Sequence, residues 1–211
     1  MNPYQITRDF EAALCEYTGA PFAVCVNSCT AALTIALERF KPSVATLPRR
    51  TYVSVPQAVL RAGHGILWDD LPWRGAYQLK PLPVWDCARR FTSGMYVAGQ
   101  FQCVSFATTK ILGIEQGGAI LHDSPEANAW FRRMRFDGRT EGVDPLEDTF
   151  DLIGHHVIML PSIAAQLLLK LHHLPKHNED MPDYEYPDLS QHPAFGGTKS
   201  PRVGVGQEGI E

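Results

Sequence analysis

The sequence has no apolar run long enough to cross a bilayer and no basic N-terminal segment that leads into an apolar one. The first absence argues against a membrane-spanning helix, and the second predicts that no signal peptide is present. The 23 acidic residues nearly balance the 19 basic ones, and a net charge of −4 argues against a nucleic-acid-binding surface. We therefore expect a cytoplasmic protein that binds neither membranes nor nucleic acids.

Cysteine is scarce, and its five copies form no C-x-x-C pair. Because the number is odd and most copies lie in apolar segments, we expect reduced thiols in the core. The histidines show no H-E-x-x-H arrangement, and Pro175 interrupts the pair His173 and His177. We therefore predict no metal site. The G-x-S-x-G elbow of hydrolases is also absent.

Helical and strand-like segments alternate along the chain, which predicts an α/β fold with a mostly parallel mixed sheet flanked by helices. Apolar periodicity predicts helices at about residues 5–17, 28–40, 55–62, 125–134 and 162–172. It predicts strands at about residues 22–26, 44–47, 65–67, 82–85, 102–106 and 119–122. Four nearby arginines suggest a solvated helix face or, alternatively, a patch for an anionic substrate or partner: Arg132, Arg133, Arg135 and Arg139.

The composition changes near residue 174, after which the chain is polar and broken by proline. We predict one domain over residues 1–174 and an extended arm over residues 175–211. This arm would wrap the domain or a partner subunit and fray at its end. Tyr184, Tyr186 and Leu189 stand out in this polar stretch, and they suggest an arm that stabilises a dimer.

The segment S-F-A-T-T-K, which ends at Lys110, is the most informative part of the sequence. It follows one apolar run and precedes another that opens with Gly117 and Gly118, so we predict a polar loop between two strands. Poor hydration there would lower the pKa of the lysine. A partly neutral amine attacks aldehydes and forms a Schiff base, which is how pyridoxal phosphate (PLP) is anchored. The alternative is a surface lysine on a β-turn.

The segment P-V-W-D-C-A places Asp86 at the end of a predicted strand. Open α/β sheets bind their ligands at this edge, and a carboxylate there can pair with a pyridinium nitrogen. The alternative is that Asp86 caps a following helix.

Two further segments lead from a strand into a helix. Ser28 and Thr30 lie at a helix start, where free N–H groups suit a phosphate, although capping alone would also explain both residues. Tyr52 follows another strand and could stack on a planar cofactor, or it could simply pack in the core.

Taken in order, the segments VNSCTAAL, TYVSV, VWDCA and SFATTK…GGAIL resemble the DegT/DnrJ/EryC1/StrS family of PLP-dependent sugar aminotransferases. The resemblance covers roughly residues 5–175, and it implies the large domain of the fold type I PLP transferases. Members of this family are much longer and carry a second, C-terminal small domain, so this chain is identified as a short form without it.

The resemblance also implies roles for individual residues. Lys110 would be the aldimine lysine and proton shuttle, and Asp86 would pair with the pyridinium. The remaining cofactor contacts would be Thr30, Ala31, Tyr52, Arg89, Ser105 and His156. Family members form dimers with shared active sites, and they use a small-molecule amino donor and a carbonyl (sugar) acceptor.

The sequence departs from the family pattern at several positions. Arg89 stands where the family commonly has His or Gln, and Gln116 where it often has Glu. His156 and Ile158 replace the Asn and Arg of its Asn-x-Arg-Met segment. His156 could still donate to a phosphate, or it could be an ordinary residue of the loop that enters a helix.

Three functions fit this sequence. The first is a PLP-dependent aminotransferase acting on a keto-sugar, nucleotide-linked or not. The second is a PLP-dependent decarboxylase, lyase or isomerase, which the absent small domain suggests. The third is a catalytically degenerate scaffold of the same fold, which the departures from the family pattern suggest.

Overall fold

A computed structural model describes residues 4–182 and 185–196. Within them the chain forms five α-helices: α1 (Gln5–Thr18), α2 (Cys29–Glu38), α3 (Ser54–Arg61), α4 (Pro125–Met134) and α5 (Pro161–His172). It also forms seven strands: β1 (Phe22–Val26), β2 (Val44–Pro48), β3 (Gly65–Asp69), β4 (Tyr77–Gln78), β5 (Val84–Asp86), β6 (Phe101–Ser105) and β7 (Gly118–His122). None of the described helices is long and apolar enough to cross a membrane.

The strands form a mixed five-stranded sheet with the order β1-β7-β6-β5-β4 and a separate parallel pair, β2 and β3. The predicted mixed sheet flanked by helices is therefore confirmed. Its parallel character was overestimated, because in the larger sheet only β5 and β6 pair in parallel. Parallel neighbours need a crossover connection, usually a helix. Loops without a helix join β4 to β5 and β6 to β7, and both pairs are antiparallel.

The sheet separates two apolar clusters, because successive side chains of each strand point to opposite faces. On one face, Val24 and Ile120 pack with α2, α3 and α4. On the other face, Cys25 and Leu121 pack with α1 and α5. β1, β5 and β6 run in the same direction through this core, so their carboxyl ends meet at one edge of the sheet.

The predicted glycine pair brings the start of α2 close to β7. Gly117 has φ +130°, a backbone conformation that other residues rarely adopt. At Gly118, a Cβ atom would lie 2.5 Å from the backbone nitrogen of Cys29. The missing side chain thus allows α2 to begin directly against the end of the loop that carries Lys110.

The C-terminal segment packs against its own chain. The carboxylate of Asp180 forms a two-pronged ion pair with Arg90, and the buried Leu189 donates its N–H to the carbonyl of Arg49 at 2.9 Å. Two short 3-10 turns, Leu189–Gln191 and Pro193–Phe195, follow. Tyr184 and the predicted frayed end lie outside the described residues, and the domain boundary at residue 174 stays a prediction.

Candidate active site

A cavity of about 470 Å³ opens at the sheet edge where β1, β5 and β6 end. Its walls come from the start of α2, the connection between β2 and α3, the loop between β6 and β7, and the C-terminal segment. Six of the eight predicted site residues line it: Thr30, Tyr52, Asp86, Arg89, Ser105 and Lys110. The fold therefore brings together side chains that are as many as 80 positions apart in the sequence.

Asp86 is the buried acid of the cavity. One carboxylate oxygen accepts the N–H of Ala88 at 2.9 Å, and the other accepts the hydroxyl of Tyr77 at 3.1 Å. Burial raises the pKa of Asp86, while these two donors and the nearby Lys110 oppose that increase. The alternative that Asp86 caps a helix is wrong, because a turn follows β5 and not a helix.

Lys110 lies in the loop between β6 and β7, where its backbone N–H donates to the carbonyl of Ala107 at 2.8 Å. Within the described residues its ammonium group has no hydrogen bond or ion pair. Burial lowers the pKa of Lys110, the positive charge of Arg89 lowers it further, and Asp86 opposes both. Lys110 is half-buried on this turn and lines the cavity, and its role as the aldimine lysine stays a prediction.

The start of α2 contributes hydroxyl groups to the wall. Ser28 caps the helix, with its Oγ accepting the N–H of Ala31 at 3.1 Å, so capping explains this residue. The Thr30 hydroxyl instead lies 2.7 Å from the Ser54 hydroxyl, and both line the cavity. Ala31 faces a different cavity of about 450 Å³.

Tyr52 and Ser105 occupy the positions that the strand ends predicted. Tyr52 is exposed at the cavity mouth, so the alternative of core packing is wrong. Its ring meets that of Tyr186 edge-on, with centroids 6.3 Å apart. Ser105 ends β6, and its hydroxyl accepts the N–H of Ala107 at 3.5 Å, which orients the start of the lysine loop.

His156 lies away from the cavity. Its side chain is 72% exposed, and Nδ1 lies 2.8 Å from a carboxylate oxygen of Asp137 in the loop before α5. Its role as a phosphate contact stays a prediction.

The basic cluster on α4 is not a solvated face. Arg135 is buried and bonds to Glu11 at 2.5 Å and to Glu141 at 2.6 Å, and Arg132 pairs with Glu11 at 2.9 Å. These arginines hold α4 against α1, so at these positions the structure corrects the sequence interpretation.

Sequence reasoning did not identify several residues of the cavity wall. Trp73 and Tyr186 stack with an interplanar angle of 11°, and they also line an adjoining cleft of about 1120 Å³. The hydroxyl of Tyr77 lies between Asp86 and the Thr51 hydroxyl, 2.5 Å from the latter. The sequence indicated these residues only by placing aromatic side chains close together in two otherwise polar stretches, at Trp73 and Tyr77 and again at Tyr186.

The fold matches solved structures of aminotransferases. AtS13 from Actinomadura melliaura superposes with a TM-score of 0.68 at 20% identity, with 80% of this chain and 59% of that chain covered. Spr1654 from Streptococcus pneumoniae, solved in PLP and PMP forms, gives a TM-score of 0.66 for the PMP form at 20% identity, with 81% and 59% covered. PseC from Helicobacter pylori, an aminotransferase involved in the biosynthesis of pseudoaminic acid, gives 0.65 at 18% identity, with 81% and 58% covered.

These likenesses define the class of the fold, that of the PLP-dependent aminotransferases. The profile of the DegT/DnrJ/EryC1/StrS aminotransferase family matches residues 1–71 and 93–182, so the chain belongs to that family. The match omits residues 72–92, which contain Asp86 and Arg89. The chain spans less than two thirds of the length of these solved structures. No curated protein matches it by sequence.

Proposed function

We propose that this chain is a PLP-dependent aminotransferase that acts on a keto-sugar, nucleotide-linked or not, or on a related small carbonyl compound. The observation that carries the proposal is that Lys110 and Asp86 line one cavity without forming an ion pair, although each shifts the pKa of the other. In this cavity the two groups would face opposite ends of the planar cofactor ring.

The residues present fit the cofactor. A volume of about 470 Å³ lies within the range of small-molecule sites. Lys110 would hold the aldehyde carbon, Asp86 the ring nitrogen, and the hydroxyls of Thr30 and Ser54 at the start of α2 the phosphate. Tyr52 would cover the ring at the cavity mouth.

When bound, PLP supplies an electron sink for a carbanion on the substrate. Lys110 would move a proton at its Nζ, since burial and Arg89 favour its neutral amine. Asp86 would hold its negative charge against the ring nitrogen, supported by the donors Tyr77 and Ala88. Tyr52 and Tyr186 would limit the access of water to the reacting atoms.

An absorbance titration with PLP tests this assignment. After unbound PLP, which is itself coloured, is removed, we expect a visible band in the wild-type protein, none in Lys110→Ala, and an unchanged band in Lys41→Ala. Lys41 is exposed and does not line the cavity. A colourless wild-type protein in the presence of PLP would contradict the proposal and favour the scaffold function.

Glutamate then distinguishes aminotransfer from other PLP chemistry. A transaminase converts its cofactor to the amine form when glutamate is added, and the visible band disappears. If the band persists while the carbonyl substrate is consumed or carbon dioxide is released, the chain is a decarboxylase, lyase or isomerase.

The proposal includes a homodimer with shared sites. The loop before α5 supports it, because Leu146 is 96% exposed, Ile153 is 94% exposed, and His156 follows them. Sedimentation velocity of the wild type and of the double variant Leu146→Glu, Ile153→Glu measures this. We expect a dimer for the former and a monomer for the latter, and a wild-type monomer would contradict it.

A further inference from the structure

Arg89 is a buried cation on the cavity wall. The residue is 8% exposed, and within the described residues no carboxylate forms an ion pair with it. Its Nε donates to the carbonyl of Pro182 at 2.6 Å, and its side chain hydrogen-bonds Tyr186. Both partners are neutral, whereas a guanidinium has five N–H donors in a planar fork. Burying such a charge without a counter-ion is costly, so an anionic ligand is the expected complement.

The guanidinium of Arg89 faces the reactive end of the cavity. It lies close enough to Lys110 to lower the pKa of the amine and close enough to Asp86 to lower the pKa of the carboxyl group. Asp86 is already held by two donors and does not reach Arg89. Within the described residues, the N–H groups of Arg89 that bond neither Pro182 nor Tyr186 therefore remain available to a ligand in the cavity.

We propose that Arg89 determines substrate specificity by binding a carboxylate of the amino donor or acceptor next to Lys110. The assignment of the carboxylate to a substrate rests on the proposed function, whereas the evidence for an anion site is the buried guanidinium itself. The planar fork of Arg89 matches a carboxylate through two parallel hydrogen bonds. The cofactor phosphate has its own place at the start of α2, beside Thr30 and Ser54.

The C-terminal segment fixes the orientation of Arg89. Pro182 and Tyr186 contact its side chain, and the N–H of Met181 donates to its carbonyl at 2.9 Å. The neighbouring Arg90 pairs with Asp180 of the same segment and does not line the cavity. One arginine thus anchors the segment, while the other presents its charge to a ligand.

Calorimetric titration of the full chain with glutarate, a dicarboxylate without an amine, tests the proposal. We expect binding to the wild type, a loss of about tenfold or more in Arg89→Gln, and unchanged binding in Arg39→Gln, which removes an arginine that neither lines the cavity nor contacts the C-terminal segment. Arg89→Lys keeps the charge but not the fork, so we expect intermediate affinity. If Arg89→Gln does not fold, as judged by circular dichroism, the comparison with Arg89→Lys still decides.

A second titration with PLP separates the two proposals. If glutarate binding depends on Arg89 but PLP gives no visible band, the proposed function fails and this inference stands. If Arg89→Gln weakens PLP binding and leaves glutarate binding unchanged, Arg89 serves the cofactor and the inference is overturned. Absence of glutarate binding to the wild type at millimolar concentrations, with and without PLP, also overturns it.

Discussion

The cavity has two sides that differ in how they match the family profile. The first side is formed by α2 and the loop between β6 and β7, and the second by residues 72–92 and 185–196. The first side lies within the residues that match the family profile, and it carries Thr30, Ser105 and Lys110. The second side lies outside that match, and it carries Trp73, Asp86, Arg89 and Tyr186. The elements that hold Lys110 thus lie in the matched part of the chain, which we call the framework, whereas the opposing groups lie outside it.

The two sides are also held in different ways. Close backbone packing and buried ion pairs fix the first, as at Gly118 and Arg135. Hydrogen bonds and ring contacts fix the second, as between Arg89 and Pro182. We therefore expect changes on the first side to cost folding free energy, and changes on the second to alter ligand binding more than stability.

The largest expected effect is on the framework. Arg135→Gln breaks the buried pairs with Glu11 and Glu141, leaving carboxylates with less compensation, and should reduce the free energy of unfolding by about 3 kcal/mol or more. Urea denaturation measures it. The control Arg39→Gln removes an exposed pair with Glu126 and should cost less than about 1 kcal/mol. An equal decrease in the free energy of unfolding in the two variants would show that the buried pairs of Arg135 stabilise the fold no more than an exposed pair does.

Gly118→Ala tests the close approach of α2 and β7. The added Cβ would lie 2.5 Å from backbone atoms of Ser28 and Cys29, so we expect a loss of about 2 kcal/mol in the same urea assay. Gly65→Ala is the matched control, because its Cβ would meet Val44 Cγ2 at 3.5 Å and the carbonyl oxygen of Ser43 at 3.9 Å, which are ordinary van der Waals contacts. A Gly118→Ala variant as stable as Gly65→Ala would show that this contact does not constrain the framework.

Tyr77→Phe removes the hydroxyl between Thr51 and Asp86, at a cost of about 1 kcal/mol. Because burial raises the pKa of Asp86 in the folded state, the folded protein keeps the carboxyl proton of Asp86 at pH values at which the unfolded chain has lost it. Stability therefore falls as pH rises from the unfolded pKa of 3.8 to the folded pKa.

Loss of the Tyr77 donor raises the Asp86 pKa further, so this fall should extend to higher pH in the variant. Urea midpoints measured over a series of pH values for both proteins check this. Identical pH profiles would show that Tyr77 does not support the charge of Asp86.

The smallest expected effect on stability is on the second side. Leu189→Ala loosens the C-terminal segment, which can detach locally, so the free energy of global unfolding should change by less than about 0.5 kcal/mol. Limited proteolysis should cut the segment faster, and glutarate affinity should fall. Leu37→Ala, in the main core, should instead cost about 2–5 kcal/mol. A global loss of that size in Leu189→Ala would show that the segment folds as part of the framework.

The longer elements could be predicted from the sequence, because each has a clear apolar period and a local stop signal. α1 ends at Gly19 in the left-handed conformation, and Ser124 caps α4 just before Pro125. β4 was missed, since two residues carry no period. The parallel character of the sheet was overestimated because apolar periodicity marks a strand but not the direction in which it pairs, and β7 runs antiparallel to both β1 and β6.

The candidate site could be predicted where a residue ends a strand, as Asp86 does, or lies in the loop after one, as Lys110 does. Asp86 and Lys110 were found this way, and both line the cavity. Tyr186 could not be placed in it, because the C-terminal segment reaches the cavity only through long-range contacts. Arg135 was misassigned for a similar reason, since its partner Glu11 lies 124 residues away in the sequence.

All five thiols are free, and four of them lie inside the core: Cys25, Cys29, Cys87 and Cys103. Burial raises the pKa of each of these four, so almost none is present as the reactive thiolate. Cys29 lines the cavity and Cys87 directly follows Asp86. Alkylating reagents would therefore modify these sulfurs only when the sheet edge opens locally, and the rate of thiol labelling would measure how often it opens.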